Sequence, residues 1–235
     1  MKLLVTGDSF ATFAPKPYHW VQLLSPDAKS ISLPGGDISA TTFIATQQAM
    51  LKTCTHMIFT VTSLNRHIVN TGALSKEDSL NIMLEMANRD AKSFYVEHDI
   101  PANTKTSNSG DSPYRLLAGE WHNWQKENTY DTDIDSYVKL YPDFHYIHNR
   151  IGNLSLLVRV CEQNNIKLVF STPFSKRGEI VSLVSLAGGT VFDYMNLLSY
   201  DNSVYEVAGD THHSPKTHIE IAKCFNRRYP EWLES

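Results

Sequence analysis

Two short segments of the chain carry side chains that together could perform nucleophilic catalysis. Ser9 follows Gly7 and Asp8 near the start of the sequence, and Asp210 precedes His213 by three residues near its end. A serine hydroxyl becomes an effective nucleophile when a base takes its proton, and a histidine base needs an acid to orient it. The two segments therefore predict a triad of Ser9, His213 and Asp210 for acyl transfer.

Each segment has a competing residue of the same type. The letters Gly-Asp-Ser recur at residues 110–112, but in a polar stretch that no strand precedes. We therefore expect Ser9, and not Ser112, to be the nucleophile. His212 is the alternative base, although the Asp-x-x-His spacing favours His213. The structural alternative for the first segment is that its aspartate and serine only cap a helix.

Two further loops could stabilise the negative oxygen that such an attack creates. The loop Pro34-Gly35-Gly36 has little side-chain bulk, so its backbone can approach a substrate and donate an N–H group. Asn65 follows the third predicted strand, and its side-chain amide is a second donor. The alternatives are an ordinary turn for the glycine loop and a helix cap or turn for Asn65.

These loops follow short apolar runs that alternate with helical patterns. The runs predict strands at Lys2–Thr6, Ser30–Leu33, His56–Thr62, Ile166–Ser171 and Val191–Tyr194. The helical patterns lie at Tyr18–Leu24, Ser39–Leu51 with Ser39 as its N-cap, Ile147–Cys161 and Pro215–Arg227. The alternation predicts a parallel sheet, and the candidate residues gather at its carboxyl edge, where such sheets bind ligands.

The middle of the chain has a different pattern. Residues 67–144 show no clean strand, and the main helical spacing is at Lys76–Arg89. Eight of the 25 aromatic residues lie in residues 95–144, and residues 103–112 are polar. We expect one domain, 1–235, with residues 67–144 inserted after the third strand as a lid over the cleft. The alternative is that these aromatics pack their own small core or a subunit interface.

Composition excludes several classes of protein. The chain has 235 residues, and its 21 Lys and Arg against 25 Asp and Glu leave a net charge of −4, with no basic run that would favour nucleic acid. No apolar stretch reaches the ~18 residues of a membrane span. The first apolar run is too short for a signal peptide, which predicts a cytoplasmic protein. Three widely separated cysteines predict neither disulfides nor a zinc site.

Taken together, the four loops resemble the SGNH (GDSL) hydrolase family. The Gly-Asp-Ser segment lies at the family's usual place near the N-terminus, the glycine and asparagine follow the second and third strands, and the Asp-x-x-His pair precedes the last helix. The resemblance covers residues 1–66 and 146–228. It implies a three-layer α/β/α sandwich around a five-stranded parallel sheet with the flavodoxin-like strand order.

The resemblance also implies a function. Ser9 would attack a carboxylic ester, His213 would act as base and Asp210 would orient it. The N–H groups of Ser9 and Gly36, with the Asn65 amide, would form the oxyanion hole. No metal or organic cofactor is implied. The expected partner is a small-molecule or glycan ester, and a homo-oligomer is left open.

A second function remains open from the sequence. The third loop reads Ser63-Leu64-Asn65-Arg66, where the family commonly has Gly-x-Asn-Asp. This difference favours a catalytically weakened SGNH-like module that binds a partner through the aromatic insertion. The serine, aspartate and histidine of the predicted triad favour the esterase.

Overall fold

The computed structural model describes residues 1–11, 19–32, 38–61, 67–70, 114–117, 143–173, 178–194 and 213–232. Its strands are β1 (Leu3–Gly7), β2 (Lys29–Ser32), β3 (His56–Thr60), β4 (His67–Asn70), β5 (Tyr114–Leu117), β6 (Lys167–Ser171) and β7 (Val191–Phe192). Its α-helices are α1 (Trp20–Leu24), α2 (Ile38–Met50), α3 (Asp143–Gln163), α4 (Gly178–Leu186) and α5 (Pro215–Arg228). Short 3₁₀ turns lie at Ser9–Ala11 and Pro230–Trp232.

Within these ranges, five strands form a parallel sheet in the order β2-β1-β3-β6-β7. Val5 of β1 lies beside Ile58 of β3, which lies beside Val169 of β6. The order is that of the flavodoxin-like doubly wound sheet, in which the crossover direction reverses next to β1. The predicted fold class is therefore confirmed, and the reversal occurs next to the strand that ends in Gly7.

Helices cover both faces of the sheet, as the three-layer prediction requires. Side chains of α2, α3 and α4 form one apolar layer, with Ile38, Ala45, Leu154, Leu157, Ile180 and Val184 among its buried members. Side chains of α1 and α5 form the other, with Trp20, Val21, Ile221 and Phe225 against Val5, Ile58 and Phe192. The central strands β1, β3 and β6 contribute alternate residues to the two layers, so both faces of the sheet are apolar there.

Two strands contradict the prediction that residues 67–144 contain none. β4 and β5 pair antiparallel, with Ile68 beside Leu116 and Val69 beside Arg115. Each is only four residues long and finds its partner far along the chain, so periodicity within one segment could not reveal either of them. The pair forms a separate two-stranded sheet.

The helices differ from the prediction in three further respects. Ser39 lies inside α2, which begins at Ile38, so the prediction of Ser39 as N-cap is wrong. The helical spacing within Tyr18–Leu24 predicts that Leu23 shares the buried face of Trp20, but Leu23 is 45% exposed. Helix α4 was not predicted, because its short run of Val, Leu and Ser has no helical signature distinct from a strand.

Some expectations fall outside the described residues. These are the helix at Lys76–Arg89, the polar stretch 103–112 and the aromatic side chains of 95–144. The single domain with an inserted lid therefore stays a prediction.

Candidate active site

The turn after β1 depends on glycine at position 7. Gly7 has a φ of +137°, which side-chain-bearing residues rarely adopt. A Cβ atom there would collide with the carbonyl oxygen of Thr60 on β3. The glycine therefore lets β1 lie close against β3 and still turn sharply into Ser9.

Asp8 holds the turn that Ser9 begins. Its carboxylate Oδ1 accepts the N–H of Phe10 at 3.1 Å, and its carbonyl accepts the N–H of Ala11 at 3.0 Å. The Asp8 side chain is fully buried. Asp8 thus caps the 3₁₀ turn, which agrees with the capping role considered from the sequence and is compatible with a nucleophile at the first position of the turn.

His213 is buried directly before α5. The helix begins after Ser214, whose hydroxyl caps it by accepting the N–H of Thr217 at 3.3 Å. The His213 ring lies beside the Phe10 ring, with centroids 5.4 Å apart. Its Nε2 is 3.0 Å from the hydroxyl of Tyr194, which follows β7. The structure therefore brings His213 to the turn that contains Ser9.

Two buried histidines that the sequence did not single out tie this turn to the neighbouring helices. His19 donates a hydrogen bond from Nε2 to the carbonyl oxygen of Phe10 at 2.7 Å, and its Nδ1 accepts the N–H of Val21 at 3.2 Å. Nδ1 of His218, in α5, accepts a hydrogen bond from the main-chain N–H of Trp20 at 3.3 Å. An imidazole that donates at one nitrogen and accepts at the other is neutral.

The two histidines also lie next to each other. The His19 and His218 rings are 5.0 Å apart between centroids, and the His218 and His213 rings are 5.8 Å apart. The three imidazoles thus form a row from α1 to the start of α5. No motif in the sequence could identify this row, because its members come from opposite ends of the chain.

The remaining predicted site residues lie outside the described part of the chain. They are Asp210, Gly36 and Asn65, together with the alternatives His212 and Ser112. The main chain of Ser9 is described, and its side chain is not. The triad and the oxyanion hole therefore stay predictions.

Two of the three thiols are unsuited to nucleophilic attack. Cys54, Cys161 and Cys224 are free and buried. Burial raises the pKa of the Cys54 thiol to about 11 and, with a smaller effect of the neighbouring Cys54, that of Cys161 to about 12. Both groups are therefore protonated at neutral pH, which makes them poor nucleophiles.

The described residues lack two kinds of feature. These residues contain no group of three or more His, Cys, Asp or Glu side chains able to hold a metal ion. No helix among them is long and apolar enough to cross a bilayer.

Solved structures of three proteins resemble this fold. A G-D-S-L family protein from Desulfitobacterium hafniense DCB-2, for which a lipolytic role is suggested, matches with a TM-score of 0.50 and 11% identity over 96% of this chain and 98% of that one. An acetyl xylan esterase matches with a TM-score of 0.48 and 9% identity over 97% and 99%. A catalytic mutant of an acetylxylan esterase from Geobacillus stearothermophilus matches with a TM-score of 0.45 and 10% identity over 96% and 92%.

At the sequence level, no protein-family model and no curated protein matches the chain. At 11% identity, the similarity to the G-D-S-L family protein establishes the fold alone. It confirms the resemblance to SGNH (GDSL) hydrolases at that level.

Proposed function

We propose that this protein is a serine esterase that hydrolyses carboxylic esters through an acyl-enzyme on Ser9. His213 accepts the Ser9 proton as the hydroxyl attacks the ester carbonyl, then delivers it to the leaving alcohol. Asp210 orients His213. Water attacks the acyl-enzyme with His213 again as base, and the acid and free Ser9 are released.

The observation that carries the proposal is the contact between the rings of His213 and Phe10, 5.4 Å apart. Phe10 follows Ser9 directly in the chain, so this contact, which places a buried histidine against the residue next to the proposed nucleophile, supports the pairing of His213 with Ser9. The contact lies beyond the carboxyl end of β1, where the crossover direction reverses and doubly wound sheets bind their ligands. The fold shared with a G-D-S-L family protein of suggested lipolytic role supports the same reaction class.

The proposed oxyanion hole consists of the N–H groups of Ser9 and Gly36 and the side-chain amide of Asn65. Its donors act on charge that develops in the transition state, so losing one should lower kcat by ~10²–10³-fold. Asn65→Ala should therefore reduce kcat with little change in KM. The substrate class we propose is a small-molecule or glycan ester, and the chemistry uses side chains and water alone.

The test is covalent labelling with a fluorophosphonate probe, together with hydrolysis of p-nitrophenyl acetate, butyrate and octanoate. Ser9→Ala should abolish labelling and turnover, whereas the matched variant Ser112→Ala should keep both. His213→Gln should lose most of the activity, and His212→Gln should retain it. Labelling that survives Ser9→Ala would disprove the proposal.

A second candidate function is a binding module that has lost most of its activity. Two observations favour it: the third loop lacks the family's usual glycine and aspartate around Asn65, and Nε2 of His213 already contacts Tyr194. If the wild-type chain neither reacts with the probe nor hydrolyses the three esters, the binding module becomes the better description.

A further inference from the structure

The hydroxyl of Tyr194 forms a hydrogen bond with Nε2 of His213, the atom that acts as base in the proposed reaction. The two groups are 3.0 Å apart, and their residues are 1% and 2% exposed. In the proposed mechanism, Nε2 of His213 accepts the proton of Ser9, because the mechanism assigns the opposite nitrogen to the orienting acid. The inference developed from this contact rests on that mechanism.

An imidazole nitrogen has room for one strong hydrogen bond in the plane of the ring. If the Tyr194 hydroxyl donates, it uses the Nε2 lone pair of His213. If Nε2 carries the proton and donates to the phenol oxygen, it has no lone pair to offer. In either tautomer, the base cannot accept a proton from Ser9 while it is bonded to Tyr194.

Neighbouring aromatic rings restrict Tyr194. Its ring centroid lies 5.6 Å from that of Phe192 and 6.2 Å from that of Trp20, and both neighbours are buried in the layer between the sheet and α5. Close-packed rings in a protein interior resist displacement. The tyrosine hydroxyl is therefore a fixed competitor for the base.

We propose that Tyr194 is a positioning residue that holds His213 in a resting arrangement and competes with Ser9 for its Nε2. The hydrogen bond to the phenol breaks before Nε2 accepts the serine proton, and the phenol keeps its own proton throughout. Interactions formed on substrate binding offset the free energy of that exchange, and a small rotation of the imidazole accomplishes it. Tyr194 thus lowers the reactivity of Ser9 in the unliganded protein.

Tyr194→Phe tests this directly, because it removes the hydroxyl and keeps the ring that fills the layer. A neutral hydrogen bond is worth a modest free energy, so we expect the second-order rate of fluorophosphonate labelling at Ser9 to rise about two- to tenfold. The acceleration should appear in kcat/KM for p-nitrophenyl acetate as well.

The chain offers a matched control in Tyr229. Its hydroxyl is buried and has no hydrogen-bond partner among the described residues, and its ring packs on Phe192 and Phe225 in the same aromatic layer. Tyr229→Phe should leave the labelling rate within twofold of wild type. Equal acceleration by both variants would mean that loosening the layer, and not freeing His213, causes the effect, and this would overturn the inference.

A change in the opposite direction, which strengthens the hydrogen bond of Tyr194, tests the inference even if the Tyr194→Phe variant folds poorly. Incorporating 3-fluorotyrosine at position 194 keeps the hydroxyl and makes it a stronger donor, so labelling should slow relative to wild type. Labelling of the Tyr194→Phe protein that is unchanged or slower, while wild type labels at Ser9, overturns this inference alone. Absence of labelling in every form of the protein overturns the proposed function, and the inference with it.

Discussion

The imidazole of His19 donates a hydrogen bond to the main-chain carbonyl of Phe10, at 2.7 Å. The same ring caps α1 by accepting the N–H of Val21. One neutral side chain thus joins the turn that begins at Ser9 to the first helix. Its two hydrogen bonds serve two separable purposes, helix capping and support of the turn.

Substitutions of His19 should separate these purposes. His19→Ala loses both bonds and leaves buried polar groups unsatisfied, so we expect the free energy of unfolding to fall by about 1–3 kcal/mol. His19→Asn keeps a good N-cap acceptor but no longer reaches Phe10. It should recover much of the stability. Both variants should label with fluorophosphonate at Ser9 more slowly than wild type, because neither supports the turn through the carbonyl of Phe10.

Urea unfolding and labelling rates measure the two effects in parallel. Gln163→Ala is the control, since Gln163 is the exposed last residue of α3 and its substitution should change stability by less than about 0.5 kcal/mol. If stability and labelling recover together in His19→Asn, the bond to Phe10 has no role of its own.

Two glycines should respond in opposite directions to the same substitution. Gly7→Ala introduces a Cβ into the Thr60 carbonyl oxygen at a φ of +137°, so we expect a loss of at least about 1–3 kcal/mol of unfolding free energy. Gly152→Ala on the exposed side of α3 meets no atom within 4 Å. It should stabilise the protein by about 0.5–1 kcal/mol through helix propensity.

Denaturant titration of the two glycine variants checks this prediction. A Gly7→Ala protein as stable as wild type would show that β1 can move away from β3 without cost. In that case the glycine at this position is not required by the close approach of the two strands.

The buried thiols predict a loss of stability in alkali. Burial raises the pKa of Cys54 to about 11 and that of Cys161 to about 12, against 9.0 for an ordinary thiol. Between pH 9 and pH 11 the unfolded chain releases these protons and the folded chain retains them. The unfolded state therefore binds fewer protons, and the free energy of unfolding decreases as pH rises, by up to about 1.4 kcal/mol per pH unit for each thiol.

The double variant Cys54→Ala, Cys161→Ala isolates this contribution from the titration of lysine and tyrosine. Its unfolding free energy, measured in urea with a reductant from pH 8 to pH 10.5, should fall less steeply than that of wild type. Parallel curves for the two proteins would contradict the prediction.

The sequence predicts the sheet well because each of its strands is a local pattern. The run from His56 to Thr60 is β-branched and aromatic, and all five of its residues are buried as expected. Gly7 and His213 were recognisable for a similar reason, since each belongs to a short motif next to a strand or helix. The strand β7 is shorter than predicted, because Tyr194 leaves the sheet to meet His213.

The supporting contacts could not be predicted, because they join distant segments. His218 appears in the sequence as one histidine within an amphipathic helix, and nothing in its neighbourhood indicates that it accepts the N–H of Trp20. The strands β4 and β5 are a second example, since each is stabilised only by the other. Local periodicity contains no information about such pairs.

The packing of α1 against α5 determines when the candidate site can form during synthesis. The Trp20 ring of α1 packs on Phe225 of α5, with ring centroids 5.5 Å apart. The main-chain N–H of Trp20 donates a hydrogen bond to His218. A growing chain on the ribosome therefore makes the Ser9 turn just over two hundred residues before His213 emerges. Until then α1 covers this face of the sheet without α5, and in this interval the nascent chain is most exposed to aggregation.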